Sequence, residues 1–292
     1  MRQMIAGILA CAGMSALTAP AIAQDAAPPE DSTIVVTGEV EREVDERAVR
    51  SQARAITPRG STIDQPLARF QQPVCAGVWG LASESAQLVI DRIYYNAEAA
   101  GMKLDETEGC AANVIVAFVA DPHAEFQDMR DADHPLVSGL DFWERKRVAD
   151  AQGAVVAWNA VTTRTNGGEL RSGNPPSYET TQMSRLGSAT RRDIEVSVML
   201  VATSALANLD GVSVADYATM RMLARTLPPR DDEPAYGTIL SLFSNPENAP
   251  ERMTEFDRAY LTSLYSGLDN TPARMALRNV GDIMDRGVEG MD

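Results

Sequence analysis

The segment from Asn113 to Ala120 reads NVIVAFVA, and this continuous apolar run most strongly restricts how the chain can fold. Such a run is typical of a β-strand that is buried on both faces by helices. Ala154–Thr162 and Asp193–Thr203 are two further apolar runs of strand character. Ser83–Ala100 repeats apolar residues at helical spacing and is followed by Gly101, a helix stop signal. We therefore predict an α/β (α+β) fold in which a small mixed sheet packs against helices.

Further helices are predicted along the chain and make its C-terminal part mainly helical. Two of them show N-terminal capping patterns, Ser213 with Asp216 and Thr254 with Asp257. The polar segment Arg164–Thr190 is predicted to be a long loop or a loose hairpin that borders a cleft. The predicted helices are Pro122–Arg130, Phe142–Ala151, Ser213–Arg225, Thr254–Ser266 and Pro272–Arg286.

The N-terminus has the three parts of a secretory signal peptide. Arg2 supplies the positive charge, Met4–Leu17 is a short apolar core, and small residues precede a cleavage point after Ala23. The core is too short to span a bilayer. An alternative prediction is lipoprotein processing at Cys11, before which the apolar core would be unusually short. In both cases we expect a periplasmic or secreted protein.

Residues 24–70 are predicted to be a charged, disordered linker, followed by one globular domain at 71–292, because 24–70 offers few apolar side chains to bury. Within the linker, the strip Ile34, Val35, Val36, Thr37 and Gly38 resembles the TonB box of TonB-dependent outer-membrane transporters. That resemblance implies a cell-envelope protein that docks through residues 34–38 by strand addition. The alternative is an ordinary β-prone stretch of a tail.

The chain is acidic, with a formal net charge of −15, and loss of Arg2 with the signal would leave −16. Such a surface repels phosphate groups, which argues against nucleic-acid or anionic-membrane partners. Removal of the signal would also remove Cys11, leaving Cys75 and Cys110 as a disulfide candidate in an oxidising compartment. Two unpaired buried thiols are the alternative. We expect no transmembrane segment after the signal.

Familiar catalytic motifs are missing from the sequence, including the G-x-S-x-G turn, the P-loop and H-E-x-x-H. The two histidines, His123 and His134, lie in an acidic stretch with carboxylates nearby. Imidazole and carboxylate together can hold zinc or a similar divalent ion, so these two residues are an alternative metal site. The spacing fits no metal motif, so we predict no cofactor.

The C-terminal third resembles the end of a metzincin metalloprotease of the matrixin type. Residues 238–243 read TILSLF, where that family has a Met-turn beneath its zinc, and Leu240 stands at the position of the turn methionine. The next helix of the family packs behind the turn. Its pattern is matched here by Thr254, Asp257, Leu261, Leu264, Tyr265 and Gly267. The phrase from Ala215 to Pro229 also resembles a segment of secreted proteins of Gram-negative bacteria, without implying an activity.

In that family the helix before the turn carries H-E-x-x-H-x-x-G-x-x-H, which supplies three zinc ligands and an acid. One frame places these positions on Ala215, Asp216, Thr219, Met222 and Arg225, so the acid is kept and the ligands are lost. The resemblance thus implies a zincin-like domain without metal. We predict a non-catalytic module that binds a periplasmic protein or an extended peptide. The alternative class is a metal-dependent hydrolase that uses non-standard ligands, or Asp216 as a base.

Overall fold

The computed structural model describes residues 44–58, 65–170, 177, 187–230 and 234–287. The predicted signal peptide, the strip at 34–38 and most of the segment 164–190 lie outside these ranges. The compact unit that holds all the described elements begins at Glu43. Among the described helices, none combines the length and the apolar character needed to cross a bilayer.

Five strands form one mixed sheet that is built around β5. On one edge β5 pairs in parallel with β1 and, further along, with β3, and β3 pairs in parallel with β2. On the other edge β5 pairs antiparallel with β4, with a register shift at Ala160/Val161. The strands are β1 (Arg69–Phe70), β2 (Ala76–Trp79), β3 (Val114–Val119), β4 (Val155–Thr165) and β5 (Thr190–Ala202).

Eight helices of the described ranges surround this sheet. They are α1 (Glu46–Ile56), α2 (Ser83–Ala99), α3 (Pro122–Asp131), α4 (Pro135–Ser138), α5 (Phe142–Ala149), α6 (Gly211–Leu223), α7 (Glu255–Ser266) and α8 (Ala273–Asp285). Short 3₁₀ turns occupy Thr203–Leu206 and Ile239–Ser241. The three long strands and most of these helices lie within a few residues of the predicted positions, and the mixed α/β class is confirmed.

Helices cover both faces of the sheet. Successive strand residues point to opposite sides, so neighbouring residues of β3 enter two different cores. Val114 and Val116 of β3 belong to the larger core with α1, α2, α6, α7 and α8. Ile115 packs with the smaller core under α3–α5. There Trp158 meets Phe126 edge-on, with their ring centroids 5.2 Å apart. The apolar strand runs of the sequence therefore reflect burial on both faces.

The predicted linker is wrong for the part of 24–70 that the structure describes. Helix α1 lies there, and its Val49, Ala53 and Ile56 are fully buried in the larger core. β1 also falls in this region and pairs with the centre of the sheet. The apolar residues of this segment are few, but they recur on one helical face, and that stripe is sufficient to dock a helix.

The start of α6 differs from the prediction, whereas the start of α7 agrees with it. Asp210 caps α6 by accepting hydrogen bonds from the N–H groups of Val212 and Ser213, so Ser213 lies inside the helix and the predicted Ser213–Asp216 capping box is wrong. At α7 the side chains and backbone of Thr254 and Asp257 form the predicted reciprocal box. A capping box cannot form at Ser213 because the helix already begins at Gly211.

Candidate functional site

The predicted site residues Ala215, Asp216 and Thr219 lie on α6 and are fully buried. Asp216 is held by α2: Arg92 donates to its two carboxylate oxygens from Nε at 2.6 Å and from Nη2 at 3.0 Å. Asn96 Nδ2 donates to the same carboxylate at 2.8 Å. Both oxygens of the acid are therefore occupied by partners within the protein.

A fourth donor closes this arrangement from the α7 side. The backbone N–H of Met253 donates to Asp216 Oδ2 at 2.9 Å. Asn96 also donates to Thr219 Oγ1 at 3.1 Å, and that hydroxyl donates to the carbonyl of Ala215 at 2.9 Å. The hydrogen bonds with Asp216 raise the pKa of the Arg92 guanidinium above its ordinary value. Asp216 is thus a structural anion that ties three parts of the chain together.

Arg225, the other predicted residue of this helix, belongs to a different cluster. It follows α6 in a left-handed conformation with φ 48°, which ends the helix, and its guanidinium donates to Glu144 Oε2 of α5 at 3.1 Å. Arg147 also donates to Glu144, at 2.6 Å. Burial would raise the pKa of Glu144, but the hydrogen bond from Arg147 and the charge of Arg225 outweigh it and lower that pKa. The predicted residues of this helix therefore contact two different elements: Asp216 and Thr219 contact α2, and Arg225 contacts α5.

The turn that resembles a Met-turn is pinned to the start of α7 by Asp257. This buried carboxylate accepts from the hydroxyl of Thr238 at 2.6 Å and from the N–H of Ile239 at 2.8 Å. Burial raises the pKa of Asp257, while these hydrogen bonds act in the opposite direction. Phe243 then packs edge-on against Tyr217 of α6, with centroids 4.8 Å apart. The turn therefore lies between α6 and α7.

A pocket of about 250 Å³ opens beside the Asp216 cluster, between α2 and α7. Arg92, Tyr95 and Asn96 line it from α2, so two of the side chains that hold Asp216 also face the pocket. Arg258 and Thr262 line it from α7, and Met253 and Leu261 supply buried apolar wall. Sequence reasoning missed this pocket. The available signal was a pair of polar residues one helical turn apart, Arg92 and Asn96. They lie in a segment that the sequence analysis interpreted only by its apolar spacing.

The outer edge of β4 is the second candidate binding surface, because β4 pairs only with β5 among the described strands. Its first half is covered, since residues 155–159 are buried and Arg147 Nη2 donates to the carbonyl of Ala157 at 3.4 Å. Residues 160–164 are half-buried. The surface left for an added strand is therefore confined to the second half of β4.

The two histidines each make a local contact. His123 Nε2 lies 2.8 Å from the carbonyl of Gly153. His134 caps α4, its Nδ1 accepting from the N–H of Leu136 at 3.3 Å. Within the described ranges, no three His, Cys, Asp or Glu side chains are grouped closely enough to hold a metal ion.

The predicted disulfide between Cys75 and Cys110 is confirmed, with a Cα–Cα distance of 6.2 Å. It links the strand segment before β2 to the residues that precede β3. Asn113 supports the same junction, because its Oδ1 accepts from the N–H of Cys75 at 2.9 Å. In comparisons with known proteins, no family model, no curated protein and no solved structure matches this chain.

Proposed function

We propose that this protein is a secreted or periplasmic, non-catalytic binding module built on a zincin-like domain without a metal. The order of elements supports the proposal: α6 follows β5, the turn at 238–243 lies against α6, and α7 is tied behind that turn. This is the packing that the resemblance to metzincins implies. Function does not follow from fold alone, so the proposal depends on what the site residues do.

The burial and the hydrogen bonds of Asp216 are the observation on which the proposed non-catalytic role depends. A general base must reach a proton of the substrate at hydrogen-bond distance. Asp216 is fully buried, and its oxygens accept from Arg92, Asn96 and the N–H of Met253. A substrate would have to displace at least one of these charged or buried donors, which costs several kcal/mol. The retained acid therefore serves stability.

The ligand of the module is proposed to be a peptide or the terminus of a protein. The pocket between α2 and α7 offers a concave surface with an apolar wall and convergent polar groups, as ligand sites generally do. The second half of β4 offers half-buried residues on an edge that pairs with no further strand in the described ranges, where an extended segment could add. A peptide is the ligand class that can use both kinds of surface.

Export is supported by the N-terminal signal pattern together with the Cys75–Cys110 disulfide, because structural disulfides persist in oxidising compartments. Expression with the native N-terminus in a Gram-negative host, followed by fractionation and N-terminal sequencing, tests it. We expect periplasmic or medium-borne protein that starts at Gln24. A lipid-modified form that starts at Cys11, or an uncleaved cytoplasmic form, would contradict this processing.

The binding role is tested by incubating the mature chain with a diverse peptide pool. Mass spectrometry then measures both cleavage products and peptides retained by the immobilised protein. We expect a retained subset and no cleavage. Cleavage that a chelator abolishes would favour the metal-dependent hydrolase, cleavage abolished by Asp216→Asn would favour a carboxylate base, and absence of any retained peptide would refute the module.

A further inference from the structure

The pocket between α2 and α7 presents hydrogen-bond donors without matching acceptors. Arg92 uses Nε and Nη2 for Asp216, its Nη1 has no hydrogen-bond acceptor among the described residues, and the residue lines the pocket. Arg258 uses one Nη1 hydrogen to bond the carbonyl of Met253 at 2.6 Å. In the described part of the chain no carboxylate forms an ion pair with Arg258. Within the described ranges, the remaining guanidinium donors of Arg258 therefore have no anionic partner.

The local charge of the pocket is opposite to that of the whole chain. Asp216 balances Arg92, which leaves the charge of Arg258 uncompensated beside it, whereas the chain as a whole carries −15. Arg92 is also held in place by Tyr95, because its guanidinium carbon lies 4.9 Å from the centre of that ring. A fixed guanidinium loses little freedom when it accepts a ligand. The pocket therefore carries one positive charge, that of Arg258, which no carboxylate of the described residues pairs with.

The remaining lining restricts what can carry that charge. Met253 and Leu261, 3% and 1% exposed, are apolar residues of the lining that present only a small surface to the pocket. The pocket volume is about 250 Å³. A phosphate monoester carries about −1.5 to −2 charges near pH 7, more than the single arginine charge of the pocket balances. A carboxylate with a short aliphatic group satisfies both sides of the pocket.

We propose that this pocket binds a carboxylate that carries a small branched aliphatic group, with the carboxylate on Arg258 and Arg92 Nη1 and the aliphatic group against Leu261 and Met253. The chemistry is shared by two sources: the free C-terminus of a peptide that ends in an aliphatic residue, and a free short-chain acid. The inference names the ligand class of the binding module and so rests on the proposed function.

The experiment is an NMR titration of the isotope-labelled mature chain with three probes: N-acetyl-leucine, its neutral analogue N-acetyl-leucinamide, and 4-methylpentanoate. We expect at least one carboxylate to bind with a dissociation constant in the millimolar range or below and to shift resonances of α2 and α7. The amide should bind at least about 10-fold more weakly, because it cannot form charge-assisted hydrogen bonds. Binding of N-acetyl-leucine assigns the site to peptide C-termini, and binding of 4-methylpentanoate alone assigns it to free acids.

The matched variants are Arg258→Gln and Arg130→Gln. Arg258 is an exposed residue whose removal leaves the buried cluster intact, and we expect at least about 10-fold weaker carboxylate binding. Arg130 lies on α3, where it pairs with Asp131, and its substitution should leave binding unchanged. Equal binding of acid and amide, no effect of Arg258→Gln, or no shift with any probe would overturn the inference. Retention in the peptide-pool experiment would still stand in that case, so the two proposals can fail separately.

Discussion

Asp216→Asn is the substitution that most directly tests how α2, α6 and α7 are held together. The carboxylate accepts four hydrogen bonds, two from Arg92, one from Asn96 and one from the N–H of Met253, and it is fully buried. An asparagine keeps the shape but turns one acceptor into a donor that faces other donors. It also leaves the Arg92 charge without its partner.

The expected loss follows from these contacts. Removing one partner of a buried ion pair costs about 3–5 kcal/mol. The Arg92 side chain is 24% exposed and can regain some hydration, which places the value near the lower end, at about 3 kcal/mol. For a domain of this size that corresponds to a fall in Tm of about 6–12 °C.

Asp210→Asn is the matched control, because Asp210 lies at the start of the same helix and also pairs with an arginine. That pair, with Arg252, is about half exposed on both sides, and asparagine remains a good N-cap. We expect a change below about 1 kcal/mol. Urea unfolding of the disulfide-intact proteins that lack residues 1–23, followed by circular dichroism, measures both values. Equal losses in the two variants would refute the buried tie at Asp216.

Three further predictions concern other parts of the fold. Burial raises the pKa of Tyr260 to about 12, so the folded state keeps a proton that the unfolded chain loses above about pH 10. The free energy of unfolding should therefore fall between pH 10 and 12. Tyr260→Phe should reduce that fall by about 2–3 kcal/mol in urea titrations. Replacing both Cys75 and Cys110 by serine should cost about 3–4 kcal/mol in the same assay, from a loop of 35 residues, and a loss below 1 kcal/mol would contradict the loop-closure argument. Arg221 is 6% exposed and donates from Nη1 to the buried hydroxyl of Tyr217 at 2.6 Å. Arg221→Met leaves that hydroxyl without this partner, so stability should fall by about 1–3 kcal/mol in the same assay, and an unchanged stability would contradict this argument.

The extent to which sequence predicts this fold differs between its elements. β3, β4 and β5 could be predicted because a strand that is buried on both faces requires a continuous apolar run in the sequence. Helix α1 was missed because its buried stripe is a small minority of a charged segment. Val49, Ala53 and Ile56 become buried only in the folded chain, where α1 packs against α8.

The candidate site was harder to predict than the fold. The Thr254–Asp257 capping box is a local pattern and was read correctly. Asp216 was also read as a local cap, yet its partners are more than a hundred residues away, at separations of 124 for Arg92 and 120 for Asn96. Nothing in the spacing around α6 encodes a partner on α2. The pocket and its free guanidinium donors follow from that long-range pairing.

The sequence by itself determined the acidic charge, the cysteine pair, the α/β class and the positions of the main strands and helices. These properties depend on composition or on the periodicity of a single segment. Only the tertiary structure decided that Asp216 is a buried anchor, that Arg225 turns towards Glu144, and that Arg258 lies beside a pocket without a carboxylate partner in the described ranges. The physical reason is that the charge state and accessibility of a side chain depend on which distant segments surround it.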